Sequence, residues 1–221
     1  STGIFEPFLA YTFTLYGLKF ISAGITAVIF SLESVFILIL SVILFFVKIN
    51  SPLHFILLLT GAMAGSIMVA LPDINDRIDN ITGYILIVAG VLSASFYVVI
   101  SSRLIVNFEP VTLLTGQLTF SFILACFFIV LTGTSLQLPV ESVFLVFLSG
   151  ILQYFLAFCF YLYSLRWIPV HIAGAMLYFI PLVALLLSWF FLQEDISFIQ
   201  GLGVFITILC VYILNKKYAI E

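Results

Sequence analysis

The chain has 221 residues, of which 64% are hydrophobic and only 8% charged, with a formal net charge of −3. A water-soluble domain carries about 25% charged residues, so this composition cannot cover a water-facing surface and points to a bilayer. The absence of any basic run speaks against a nucleic-acid partner, and the apolar residues come in runs near 20 long, which suits membrane-spanning helices and not the alternating strands of a membrane barrel.

Eight membrane segments are expected, at roughly 1–20, 22–48, 51–71, 81–106, 110–132, 140–167, 170–192 and 196–217. The separators are short and turn-like or charged: Lys48 to Pro52, Pro72 to Asn80, Asn107 to Pro110, Thr132 to Pro139, Trp167 to Pro169, and Gln193 to Asp195. Short separators make neighbouring helices antiparallel hairpins. The fold expected is an all-α integral membrane bundle with the lipid bilayer as its solvent. Cys126, Cys159 and Cys210 all lie inside apolar runs and read as small buried hydrophobes. His54 and His171 read as interfacial residues. Two histidines so far apart speak against a metal site, and no cofactor or nucleotide-binding motif is present.

Successive loops alternate sides, and the basic residues divide unequally between them. Lys48, Arg103, Arg166, Lys216 and Lys217 fall on one side, and only Lys19 and Arg77 on the other. The rule that basic loops stay inside places the first side and the C-terminus in the cytoplasm of a cell that carries this protein in its plasma or inner membrane.

An internal repeat is the most informative feature. Residues 3–41 align without a gap on residues 150–188, a shift of 147, with 14 identities in 39 positions. The string Leu15-Tyr16-Gly17-Leu18-Lys19-Phe20-Ile21 falls on Leu162-Tyr163-Ser164-Leu165-Arg166-Trp167-Ile168. The first segment therefore maps onto the sixth. An odd number of crossings separates them, so the copies are expected to run through the membrane in opposite senses, a plan that recurs in secondary transporters. The division expected is 1–71 for a first copy of three helices and 80–218 for a second copy of five. The alignment puts Gly3 inside a helix and implies two further helices ahead of it.

These residues resemble the drug/metabolite transporter superfamily, EamA type. The resemblance rests on Tyr163-Ser164-Leu165-Arg166, Ala173-Gly174-Ala175, Ile180-Pro181-Leu182 and Leu192-Gln193-Glu194, with Ser22 to Ala27 and Ser31 to Phe36 as counterparts in the first copy. It departs at Ser34, where the family pattern has proline, and at Val47-Lys48, where the second copy has Glu194-Asp195. What it implies is a bundle of ten helices, five plus five, that moves small polar metabolites such as amino acids or drug-like molecules, often outward.

Charge inside a bilayer is costly, which makes Glu33 and Glu6 the leading candidates for a substrate or proton pathway. Glu33 is expected near the middle of the second segment, and its mate under the repeat is Ile180. Glu6 is matched by Gln153 and precedes Pro7, which loosens local backbone bonding. Counted from the turn near Ile21, both carboxylates lie roughly 20 Å deep. Two carboxylates at one depth can share a proton, the ingredient of proton coupling; the alternative is that Glu33 merely ties helices together and Glu6 snorkels out past the start of its segment. Gln117 and Gln153 can bind a polar substrate or bridge helices. Tyr11, Tyr154 and Tyr178 can line a cavity, and Tyr178 has Ser31 as its mate. Gly61 to Gly65 forms a small-residue face for close helix packing, and Asp73, Asp76 and Asp79 form an acidic loop. The function expected is secondary transport of a small molecule by alternating access; the competing readings are an accessory membrane protein without transport and a membrane-embedded lipid-modifying enzyme. The oligomeric state is not encoded in any pattern we recognise.

Overall fold

The structure, a computed structural model, describes residues 2–46, 49, 51–70, 81–133, 139–193 and 196–218. Among these residues every regular element is helical. The helices are α1 (Ala10–Gly17), α2 (Ala23–Phe30), α3 (Glu33–Phe45), α4 (Pro52–Ala70), α5 (Ile81–Leu104), α6 (Pro110–Thr132), α7 (Val140–Ser149), α8 (Phe158–Ser164), α9 (Val170–Met176), α10 (Phe179–Leu187) and α11 (Phe198–Tyr218). Among the described residues, seven stretches are long and apolar enough to cross a membrane: Ile25–Phe45, Pro52–Ala70, Ile81–Leu104, Pro110–Thr132, Ser142–Ser164, Val170–Phe191 and Phe198–Tyr218. They coincide with seven of the eight expected segments. The acidic loop of Asp73, Asp76 and Asp79, with Arg77, lies outside the described residues, as do Lys48, Glu194 and Asp195.

The first expected segment is not one continuous helix. It runs as a tight turn at Thr2–Ile4, a wide turn at Phe5–Leu9, and then α1. Glu6 sits in extended backbone inside it (φ −144°, ψ 135°). Pro7 has no N–H to give to a helical ladder, which frees a carbonyl acceptor locally. Irregular backbone at membrane depth survives only where the freed groups find partners, and here they do. Ser93 of α5 donates to the Phe5 carbonyl at 2.8 Å, and Ser121 of α6 donates to the Gly3 carbonyl at 2.5 Å.

Two more segments are broken at their centres. Between α2 and α3, the Ser31 hydroxyl donates to the Val28 carbonyl at 2.6 Å, and the Leu32 N–H reaches only Ile29. A serine that bonds back to its own helix competes with the backbone ladder and tightens or bends it. Between α9 and α10, Pro181 removes the N–H that would reach Leu177, and the Ile180 N–H takes that carbonyl instead at 3.0 Å. Glu33, expected near the middle of the second segment, lies inside the Ile25–Phe45 stretch as the first residue of α3, directly after a break.

Backbone detail recurs at the 147-residue shift. The bonds Leu18 N–H to Thr14, Lys19 to Tyr16, Phe20 to Gly17 and Ile21 to Gly17 have one-to-one counterparts in Leu165 to Tyr161, Arg166 to Tyr163, Trp167 to Ser164 and Ile168 to Ser164. A wide-turned stretch at Gly150–Ala157 precedes α8 as Phe5–Leu9 precedes α1. Phe46 and Gln193, also 147 apart, both adopt left-handed backbone (φ 51° and 56°) where their helices end.

α5 is the hub: it touches α1, α2, α3, α9 and the broken leading segment. α4 and α11 form a separate close pair, with Gly65 against Gly203 and Thr207. A side chain at Gly65 would collide with the Thr207 hydroxyl and the Gly203 carbonyl, so the expected small-residue face is a helix contact within this chain. His171 departs from expectation. It is buried, with its ring edge-on to Phe55 at 5.4 Å, because α9 is drawn into the cluster formed by Phe55, Leu59, Ile172, Val211 and Leu214. Arg103 lies over the Phe45 ring, Arg166 donates to the Phe108 carbonyl, Lys217 lies beside His54, and Lys19 lies over the Tyr16 ring.

Candidate functional site

The breaks in the α2–α3 and α9–α10 segments face one cavity. It has a volume of about 440 Å³, and its wall includes Ser31, Glu33, Ser34, Tyr178, Ile180 and Pro181. Thr26, Ser66 and Gln200 add further polar groups, and the remaining wall is apolar. A largely apolar cavity with a few placed polar groups is the ordinary form of a small-molecule site. Ser34 anchors its own wall by donating to the Gly174 carbonyl of α9 at 2.5 Å. Tyr178 is buried, and its hydroxyl lies beside Ser34. The sequence pairing of Ser31 with Tyr178 thus corresponds to two residues at the two breaks that share a cavity wall.

A second group of polar side chains lies around the other flank of Glu33. The charges of Glu6 and Glu33 act on each other, and both act on Tyr11 and Tyr161. Glu6 also acts on Tyr97 and Tyr154. The Gln153 amide donates to the Tyr11 hydroxyl at 3.0 Å, and the Tyr11 and Tyr154 rings are 4.9 Å apart. The chain therefore brings Glu6, Glu33, Tyr11, Tyr154 and Gln153 into one neighbourhood, drawn from the leading segment, α1, α3 and the stretch that precedes α8. Glu33 belongs both to this group and to the cavity wall. α5 supports the junction, where the Ser95 hydroxyl donates to Val91 at 2.8 Å and reaches the Glu33 carbonyl at 3.3 Å.

Gln117 is placed differently. It is only 1% exposed, and its amide is fully used: it accepts from the Tyr97 hydroxyl at 3.0 Å and donates to Thr2 at 2.6 Å and Ser101 at 3.1 Å. Of the two roles open to it from sequence, bridging helices is the one this geometry serves. Tyr97 and Tyr161 were not singled out by sequence reading. Both lie in apolar stretches where tyrosine reads as packing, and no spacing rule marks them. Ser93 and Ser95 carried a faint signal as small polar residues in an otherwise apolar span.

With this geometry in hand, comparison with known proteins is decisive for the family. The sequence pattern of the EamA-like transporter family matches residues 81–216, more than half of the chain. The chain belongs to the EamA-like transporter family. An uncharacterized transporter of Archaeoglobus fulgidus is 25% identical over 217 residues, which span 98% of this chain and 76% of that protein. A crystal structure of another protein superposes with a TM-score of 0.83 at 18% identity, covering 97% of this chain and 75% of that one, and so shares the fold. An EamA-like transporter is a multi-pass membrane protein, and the resemblance read from the residues is thus upheld at the level of the family.

Proposed function

We propose that this EamA-like protein is a secondary transporter of a small polar metabolite, an exporter, in which the 440 Å³ cavity holds the substrate and Glu33 with Glu6 couples its movement to protons. The observation that carries this reading is the position of Glu33: it lies at a helix break, on a cavity wall, within electrostatic reach of a second intramembrane carboxylate. Two carboxylates so placed compete for charge, and a site that holds one proton between them can exchange it for substrate. The recurrence of backbone bonds and left-handed helix ends at the 147-residue shift supports two structural repeats, 1–71 and 80–218, of opposite sense. Alternating access then arises from one repeat rocking against the other about the breaks at Ser31 and Tyr178. Of the other sequence candidates, Tyr11, Tyr154 and Gln153 belong to the proton side of this site, and Ser31 and Tyr178 to the substrate side. We place the basic end, with the C-terminus, in the cytoplasm of the cell.

The test is flux of a panel of amino acids and amphiphilic drugs in proteoliposomes that contain the protein as its gene encodes it, with an imposed pH gradient. Wild-type flux should follow the gradient, and Glu33→Gln and Glu6→Gln should each abolish gradient-driven flux while the protein remains folded. Gradient-driven flux that survives both substitutions would leave the carboxylates as structural groups and overturn the coupling.

A further inference from the structure

Tyr161 stands apart from the other tyrosines that surround the two carboxylates. It lies on α8, packed between the cluster that contains Leu114, Leu162 and Ala173 and the cluster that contains Ile37, Tyr97 and Val98. Its hydroxyl is buried and has no hydrogen-bond partner among the described residues. Of the neighbouring hydroxyls, Tyr97 donates to Gln117, whereas Tyr11 accepts from the Gln153 amide. Tyr161 packs against the second of those clusters together with Phe5, the neighbour of Glu6, and that cluster contains Ile37, about one turn after Glu33. A buried hydroxyl left unsatisfied is costly, and native structures keep such groups where another state of the protein uses them. An ionised carboxylate is the natural taker, because a donor bonds more strongly to a charged acceptor than to a neutral one.

We propose that Tyr161 is a positioning residue of the transport site, whose hydroxyl is reserved for Glu33 and donates to that carboxylate when it is ionised. This rests on the transport reading above and adds a residue to it. When the proton leaves the Glu6–Glu33 pair, Glu33 turns its charge toward α8 and the Tyr161 hydroxyl closes on it. When the proton returns, the hydroxyl is released to the partnerless state seen here. The titratable groups that face this contact are Glu6 from the leading segment, Glu33 from α3, Tyr11 from α1 and Tyr97 from α5. The effect of a change at Tyr161 must therefore pass through Glu33.

The experiment is Tyr161→Phe, alone and combined with Glu33→Gln, read by the pH profile of flux for a panel compound that the wild type carries and by melting temperature in detergent. Phenylalanine keeps the ring packing and removes only the hydroxyl. Tyr161→Phe should melt at or above the wild-type temperature, lower flux about tenfold at the pH where Glu33 must ionise, and displace the pH profile. The double variant should melt no lower than Glu33→Gln alone, since the two groups act as a unit. A Tyr161→Phe profile that superimposes on the wild type, or a lower melting temperature in the Glu33→Gln background, would overturn the proposal. If the wild type carries no panel compound, the transport reading fails separately, and the carboxyl C=O infrared band that disappears in Glu33→Gln decides the contact across a pH titration. A titration of that band altered by Tyr161→Phe keeps the donor role; an unaltered one removes it.

Discussion

Two spans of this protein are nearly identical by hydropathy and opposite in position. Ile81–Leu104 and Ser142–Ser164 have 24 and 23 residues and the same mean hydropathy, 2.2, yet of the 18-residue apolar stretch that marks each span 56% is buried in the first and 0% in the second, whose buried Leu162 lies near its end. In water such a pair would be impossible, because the apolar surface of an exposed helix would collapse onto the core. In a bilayer lipid tails are as apolar as leucine, so hydropathy brings a helix into the membrane but does not decide its neighbours. What distinguishes the buried span is small size. Gly83, Gly90, Ser93, Ala94, Ser95 and Ser101 are all buried on α5 and let other backbones approach. The outer span instead presents Phe144, Leu145, Phe147 and Leu148, all exposed in the described structure.

The largest expected effect comes from exchanging these characters. At Gly90 an added side chain would meet Thr14 Oγ1 at 2.9 Å and the Ala10 carbonyl at 3.1 Å, whereas at Gly150 nothing among the described residues lies within 4 Å. Gly90→Leu should cost about 3 kcal/mol in reversible unfolding from mixed micelles, by overpacking the α1–α5 contact. Gly150→Leu should change stability by less than about 0.5 kcal/mol. Equal losses at the two glycines would mean that the outer span is packed as tightly as α5.

A smaller effect is expected at Gln117, which ties α5 and α6 to the leading segment. Gln117→Leu should cost about 2 kcal/mol in the same assay, because Tyr97, Thr2 and Ser101 lose a shared partner in a place without water. Its effect on flux should follow this loss of folded protein and leave the pH profile of the folded fraction unmoved. A displaced profile at full stability would return Gln117 to the substrate pathway.

Ser95→Ala tests the hub at one atom. It removes the bond to Val91 and the reach to Glu33, and should cost about 0.6 kcal/mol, the usual worth of a polar contact between helices in a membrane. The smallest effect belongs to the outer span. Phe147→Ala, at a residue 66% exposed, should shift stability by no more than about 0.5 kcal/mol. A loss of about 3 kcal/mol, the range for truncating a packed aromatic, would show that another protein surface covers that face.

Much of the bundle was legible in the sequence, for a simple reason: backbone groups in a bilayer must bond within their own segment, so each long apolar run has one structure open to it. Seven of eight segments could be read this way. The repeat was legible too, because Leu-Tyr-x-Leu-basic-aromatic-Ile carries its turn with it, and the matched bonds around Thr14 and Tyr161 show the same turn built twice. The site was legible only in part. Glu6 and Glu33 are conspicuous because charge is rare in such a chain. Tyr161 and Tyr97 are not, since whether a tyrosine packs or serves a carboxylate depends on what faces its hydroxyl. The sequence by itself therefore determined the solvent, the helices, the internal match of residues 3–41 with 150–188 and the two acids set among apolar residues, all of which can be read from local bonding and from the cost of charge in hydrocarbon. Only the tertiary structure decided which equally apolar span lies at the centre, where helices break at Glu6, Ser31 and Tyr178, and that Glu33 joins a cavity to a second carboxylate. Those depend on close contacts between distant segments, which lipid solvation does not write into hydropathy.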